Sequence, residues 1–315
     1  MGKRENSVQY EMCQTALVGK TNDNTIKNYK RHIKEFAEWA KIEYGVNKPS
    51  EARSRAVELV QAYEERLEDA GKTPATIHGY LAPVCVGLGI SLKDIQKPKR
   101  TSDTIIRGRN PEANPQGRRE AQMERYKPLM DLQRATGFRR AELGKLRGRD
   151  LQKDESGYWC IHTKGKLGKE QLQRILPEDL PGVMAAFDGV KPNQKVLSDE
   201  IMKNKINLHA VRADQGYRTY LYYKERLEKE PGYRNKCQLE LVARFKALAP
   251  EGHATKQYIH DITSREPYKI RGANREKAER TGRPVEYNRL ALMMVSVFHL
   301  SHWRLGVTVT NYILQ

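Results

Sequence analysis

After the polar cluster Thr21, Asn22, Asp23 and Asn24, apolar residues recur at Ile26, Tyr29, Ile33, Phe36 and Ala40, and Gly45 follows. Spacings of three and four place these side chains on one face of a helix, with a polar start and a glycine stop. A second such face runs through Ala56, Leu59, Val60, Tyr63 and Leu67 and closes at Gly71. A third helix begins at Thr73-Pro74, a hydroxyl cap followed by proline at the first helical position. The first hundred residues are therefore expected to be all-helical. Lys27, Lys30, Arg31 and Lys34 lie on the polar side of the first of these helices, where they can meet solvent or phosphate.

The pattern then changes. KPKRTSDTIIRGRNPEANPQGRR, from Lys97 to Arg119, is rich in proline, glycine and basic residues and has no apolar period, so it reads as an extended linker. Helical patterning resumes near Glu120 and continues through Leu146. YWCIHT and QRILP are two short β-prone runs on either side of KGKLGKE, a hairpin with a lysine-rich tip. From about Asn207 the chain again reads as mostly helical. The fold class expected is mainly α with a small β-sheet (α+β). The boundaries are an N-terminal helical domain over 1–108, a basic linker over 109–119 and a second domain over 120–315.

Composition narrows the partners. Lys and Arg number 57 against 39 Asp and Glu, a formal net charge of +18 in 315 residues. Such a field attracts polyanions, nucleic acid first among them, without specifying a fold. The four cysteines, Cys13, Cys85, Cys160 and Cys237, fall in no zinc-ligand spacing and form no disulfide framework, which suits a reducing cytoplasm. No apolar run approaches the ~20 residues that span a bilayer, and no secretory leader opens the chain, so no membrane partner is expected. A phosphate-cradling Gly-x-x-x-x-Gly-Lys-Ser/Thr loop is absent, as is a compact carboxylate set for Mg²⁺; the expected chemistry uses no cofactor and no metal.

Three separated segments carry the candidate chemistry. TGFRRAELGKLRGRDL (136–151) contains Arg139 and, three residues on, Glu142; LHAVRADQGY (208–217) contains His209 and Arg212; VSVFHLSHWRLGVTVTNYIL (295–314) contains His302 and, ten residues on, Tyr312. In this order, with the turn GKLGK between the first two, they resemble the boxes of the tyrosine recombinases, the phage-integrase family. The resemblance implies a helical, SAM-like core-binding domain ahead of a catalytic domain. It also implies a site made of Arg139, Lys166, His209, Arg212, His302 and Tyr312, with Glu142 in support. Lys164 and Lys169 share the turn with Lys166, and the choice among the three stays open.

These residue types suit transesterification at phosphorus. Two guanidinium forks stay charged and can each hold two oxygens as the phosphorus becomes five-coordinate. His302 adds a donor, with Trp303 beside it as packing or as an indole N–H. The tyrosine, with a reference pKa near 10, attacks with help from a base, for which His209 is the nearest candidate. A hairpin lysine protonates the departing 5′ oxygen. The activity implied is that of a site-specific recombinase or integrase of a mobile element, phage or transposon, acting through a 3′-phosphotyrosyl link. Its partner is double-stranded DNA, on which it self-assembles into a tetramer; it is cytoplasmic and nucleoid-associated. Two alternatives stand beside it, a catalytically inactive sequence-specific DNA-binding protein on the same scaffold and a type IB-like topoisomerase.

The sequence departs from the family pattern in three places. Leu-Ser-His stands at 300–302 where the family has Leu-Gly-His. The interval from Arg212 to His302 is long and reads as a charged helical insertion at about 218–280. The given sequence ends at Gln315, three residues after Tyr312, where many members of the family carry a further segment that docks on a neighbouring subunit.

Overall fold

The computed structural model describes residues 6–101, 114–165, 168, 170–248 and 255–314. The chain divides into two compact units, Met1–Arg107 and Gly108–Gln315. The fold is mainly α with a small antiparallel sheet, the class the periodicity predicts. Among the described residues no helix is long and apolar enough to cross a membrane.

In the first unit the helices are α1 (Val8–Ala16), α2 (Asp23–Tyr44), α3 (Pro49–Ser54), α4 (Ala56–Asp69) and α5 (Pro74–Leu88). Asn22 caps α2 by accepting the N–H of Thr25, and Gly45 ends it in the left-handed conformation. Thr73 caps α5 in the same way through the N–H of Thr76. The core gathers Met12, Ile33, Phe36, Ala52, Leu59, Tyr63 and Leu81 from all five helices. Helices α1 and α3 are not among the expected elements. They are short; α1 buries Val8, Met12 and Ala16, and Met12 sits against Gly87 of α5, where a Cβ would stand 2.9 Å from that of Met12. Arg31 and Lys34 on α2 face Glu35 and Glu38 one turn on, so these cations sit in exposed intrahelical pairs.

The second unit opens with α6 (Pro115–Ala121), α7 (Lys127–Thr136) and α8 (Arg140–Leu143). The expected linker at 109–119 lies outside the described residues as far as 113, and its last part is helical rather than extended. Asn114 caps α6 by accepting the N–H of Gly117 and donates to the Lys205 carbonyl, while Glu120 accepts the N–H of Lys205. The helical patterning expected from near Glu120 through Leu146 is divided among short helices; Gly137 turns left-handed at φ 58° and ends α7. Strands β1 (Leu151–Lys153), β2 (Trp159–Lys164) and β3 (Glu170–Arg174) form an antiparallel sheet in that order. The expected hairpin is β2–β3, with Lys164 opposite Glu170 at its end; β1 is a third, unforeseen strand.

Helices α9 (Leu180–Phe187) and α10 (Asp199–Met202) lead to α11 (Leu208–Lys229), which runs between two cores. Leu208 joins α7 and the sheet in one; Ala213, Tyr220 and Tyr223 face the other. After α11 come α12 (Tyr233–Leu248), α13 (Thr255–Thr263), β4 (Tyr268–Lys269), α14 (Ala273–Arg280), β5 (Glu286–Tyr287), α15 (Arg289–Phe298) and α16 (Leu305–Thr308), with a wide π-type turn over Val309–Ile313. Residues Leu290 to Phe298 of α15 are all buried, as expected of a helix surrounded by others.

The segment read as an insertion is thus the outer half of α11 together with α12, α13, β4 and α14, with β4 pairing β5 just beyond it. It shares the core of the second unit. Its α12 is tied to the sheet by a buried ion network in which Arg174 pairs with Asp154 at 2.7 Å and with Glu240, while Arg244 lies 3.6 Å from Asp154. Removing one partner from such a network strands a buried charge, so the network fixes α12 in place whatever its net contribution to stability.

Candidate functional site: an arginine, histidine and tyrosine cluster

Arg139 follows the left-handed Gly137 and stands at the start of α8. Glu142, one turn on, accepts the Arg139 backbone N–H at 2.8 Å and its guanidinium at 2.6 Å. The carboxylate is buried and the guanidinium about half exposed, so Glu142 fixes the direction of Arg139 and leaves its tip open. Gln171 of β3 donates to the same carboxylate at 3.4 Å, which links the hairpin to this corner. The neighbouring Arg140 turns the other way and holds the 202–206 loop through the carbonyls of Met202 and Ile206.

Arg212 projects from α11, one turn after His209. It is 1% exposed. Its guanidinium donates to the carbonyls of Gly137 and Leu300 and, through Nε at 3.2 Å, to the hydroxyl of Tyr312. Three of its five N–H groups are so engaged. Tyr312 reaches it from the π-type turn, in which the Leu314 N–H bonds the Val309 carbonyl at 2.7 Å. Such turns widen a helix locally and recur where a side chain must be re-aimed. Gly216, one turn beyond Arg212, leaves room for the phenol, since a Cβ there would lie 2.9 Å from that of Tyr312.

His302 lies between two residues with positive φ, Ser301 at 51° and Trp303 at 59°. Its ring stacks on that of Tyr312, with centroids 5.8 Å apart and planes 16° from parallel. Burial, then the charges of Arg212, Arg304 and Arg139, press its pKa down to about 3, so the imidazole is neutral at ordinary pH. Its Nδ1 accepts the Arg304 backbone N–H at 3.4 Å, which assigns the proton to Nε2. That Nε2 is buried with no hydrogen-bond partner among the described residues, a donor left over for an incoming acceptor. The nearby His299 has another place, in the core against the Tyr223 hydroxyl at 3.0 Å. Trp303 turns toward the insertion and stacks on Tyr258 at 5.1 Å, beside Phe245, so it packs.

The serine at 301 occupies a conformation that costs an L-residue roughly 1–2 kcal/mol, and its buried hydroxyl finds no partner among the described residues. Ser301→Gly is expected to raise stability by about 1 kcal/mol, after part of the relief is returned to the more flexible unfolded chain. Thermal melting of the two proteins reads this directly, and a lower melting temperature in the glycine variant would refute it.

The ring of His209 lies 6.4 Å from that of Tyr312, and His209 lines a pocket of about 260 Å³ with Arg139, Arg140 and Asn207. Arg139, His209, Arg212, His302 and Tyr312, from three distant segments, therefore come together in one corner, with Glu142 behind Arg139. Lys166 and Lys169 lie outside the described residues, and Lys164 pairs with Glu170 at 3.2 Å on the exposed edge of the hairpin. Sequence reasoning missed Gly137 and Gly216, although both lie inside the quoted motifs. It also missed Arg304, which lies two residues after His302 inside the third quoted segment.

No protein-family model and no curated protein matches the sequence. Among solved structures, the chain is similar to XerA recombinase, at 14% identity and a TM-score of 0.28, over 88% of this chain and 98% of that one. It is also similar to XerH site-specific recombinase bound to a palindromic difH substrate in a post-cleavage complex, at 16% identity and a TM-score of 0.42, over 80% of this chain and 78% of that one.

Proposed function

We propose that this chain is a site-specific DNA recombinase that cleaves and rejoins double-stranded DNA through a 3′-phosphotyrosyl link to Tyr312, as an integrase of a mobile element working in a tetramer. The observation that carries the reading is the convergence on Tyr312: Arg212 donates to its hydroxyl while the orphan Nε2 of His302 lies beside its ring. A phosphate entering from the open side, where Arg139 is half exposed, meets Arg139, Arg212 and Nε2 of His302. Fixed donors of this kind act on charge that develops as phosphorus becomes five-coordinate.

The step balances without water or nucleotide. The phenol oxygen bonds to phosphorus as the bond to the 5′ oxygen breaks; His209 takes the phenolic proton and Lys166 supplies one to the 5′ oxygen. One phosphodiester is exchanged for another, so a 5′ hydroxyl of a second strand can reverse the reaction. Glu142 serves by orienting Arg139.

A nicked suicide duplex tests the reading, because the cleaved 5′ end diffuses away and traps the intermediate. The wild type is expected to form an SDS-resistant protein–DNA adduct and Tyr312→Phe none. Specific binding without any adduct would identify the inactive scaffold instead. Relaxation of supercoils without recombinant product would identify a topoisomerase.

A further inference from the structure

A groove of about 890 Å³ is lined by α13, β4, the start of α14, α16 at Gly306 and Val307, and Thr310 of the turn that carries Tyr312. Five cations, Lys269, Arg271, Arg275, Arg289 and Arg304, border it against one carboxylate, Glu266. Three of the five are committed: Lys269 to Glu286 at 2.9 Å, Arg275 to Glu279 at 2.8 Å and Arg289 to Asp261 at 2.5 Å. Arg271 and Arg304 are exposed, and among the described residues no carboxylate pairs with either. An ordinary solvated surface mixes its signs; a concave one with two uncommitted guanidinium groups concentrates positive potential.

Arg304 joins this groove to the site already described. Its side chain lines the groove, while its backbone N–H bonds the His302 ring, and its charge is felt there. Arg304 thus borders both the groove and the His302 ring. The first turn of α14 also borders the groove, and no side chain caps it.

We infer that this groove holds the phosphate backbone of the DNA flanking the scissile phosphate, with Arg271 and Arg304 as its donors, so that the helices between Arg212 and His302 serve as a second DNA-binding surface. This rests on the reading of the chain as a DNA-cleaving enzyme. Contacts of this type fix register and orientation without reading sequence, and they show as salt dependence.

The experiment measures binding by the full chain to two duplexes with the same cleavage site, one ending just beyond it and one extended by a helical turn. Arg271→Glu and the milder Arg271→Gln are compared with wild type by fluorescence anisotropy over a salt series; Arg271 is exposed, and unchanged melting verifies the fold. The glutamate variant is expected to lose about tenfold in affinity for the extended duplex and less than about twofold for the short one. Its slope of log affinity against log salt should fall by about 1. Equal affinities of wild type and variant for the extended duplex would overturn the inference, as would a change confined to self-association in sedimentation, which would make the groove a seat for a second copy. The two readings fail separately. Adduct formation by wild type with binding indifferent to Arg271 sinks the groove alone. Length-dependent loss at Arg271 without any adduct upholds the groove and sinks the enzyme.

Discussion

Gly216→Ala folds normally and loses DNA cleavage by about 100-fold or more. Alanine is the better helix former by about 1 kcal/mol, so nothing intrinsic to α11 opposes the change. The added methyl would instead stand 2.9 Å from the Cβ of Tyr312, closer than real Cβ contacts come. The C-terminal turn is the lighter partner, and it moves. A shift near 1 Å in a reacting group costs on the order of 100-fold, because the nucleophile no longer lies in line with the leaving oxygen. Single-turnover adduct formation on the suicide duplex, with melting curves beside it, separates the two effects. A variant that cleaves at the wild-type rate would mean that Tyr312 does not act from this position.

Arg212→Lys is expected to lower the cleavage rate by about 1,000-fold and stability by about 3 kcal/mol together. The guanidinium points at three acceptors in different directions, Gly137 O, Leu300 O and the Tyr312 hydroxyl. An ammonium on a flexible stem can meet one or two of them, and each buried carbonyl left alone costs about 1–3 kcal/mol. Arg139→Lys is the informative contrast, for its side chain is half exposed and its guanidinium hydrogen-bonds Glu142 rather than buried backbone carbonyls. It should lose cleavage to a similar degree while melting within about 0.5 kcal/mol of wild type. Denaturant unfolding and single-turnover rates on both variants test the pair. Equal stability losses would show that Arg212 lacks the structural role its contacts assign.

The parts legible in advance were those written contiguously along the chain. Asn22 and Gly45 bracket α2, and Thr73-Pro74 starts α5, because caps act within a turn of the residues they serve. Arg139, His209, Arg212, His302 and Tyr312 were legible as motif members, and their convergence required the fold. What stayed hidden depends on close approach between distant segments. Gly137 reads as a motif glycine, yet its carbonyl holds Arg212 and its left-handed φ ends α7. Gly216 reads as an interruption in a helix, and only the arrival of Tyr312 explains it. Arg174, Glu240 and Arg244 look like solvated charges until α12 packs on the sheet and buries them against Asp154. Ser301 was legible as a departure, and its cost became visible only with its φ of 51°.

The chain has 16 tyrosines, so the most direct measurement is to identify the one that carries DNA. The trapped adduct, digested with nuclease and protease, is sequenced by mass spectrometry. A nucleotide joined through its 3′ phosphate to the peptide containing Tyr312 is the predicted result. A nucleotide on any other residue, or a 5′ linkage, would contradict the account.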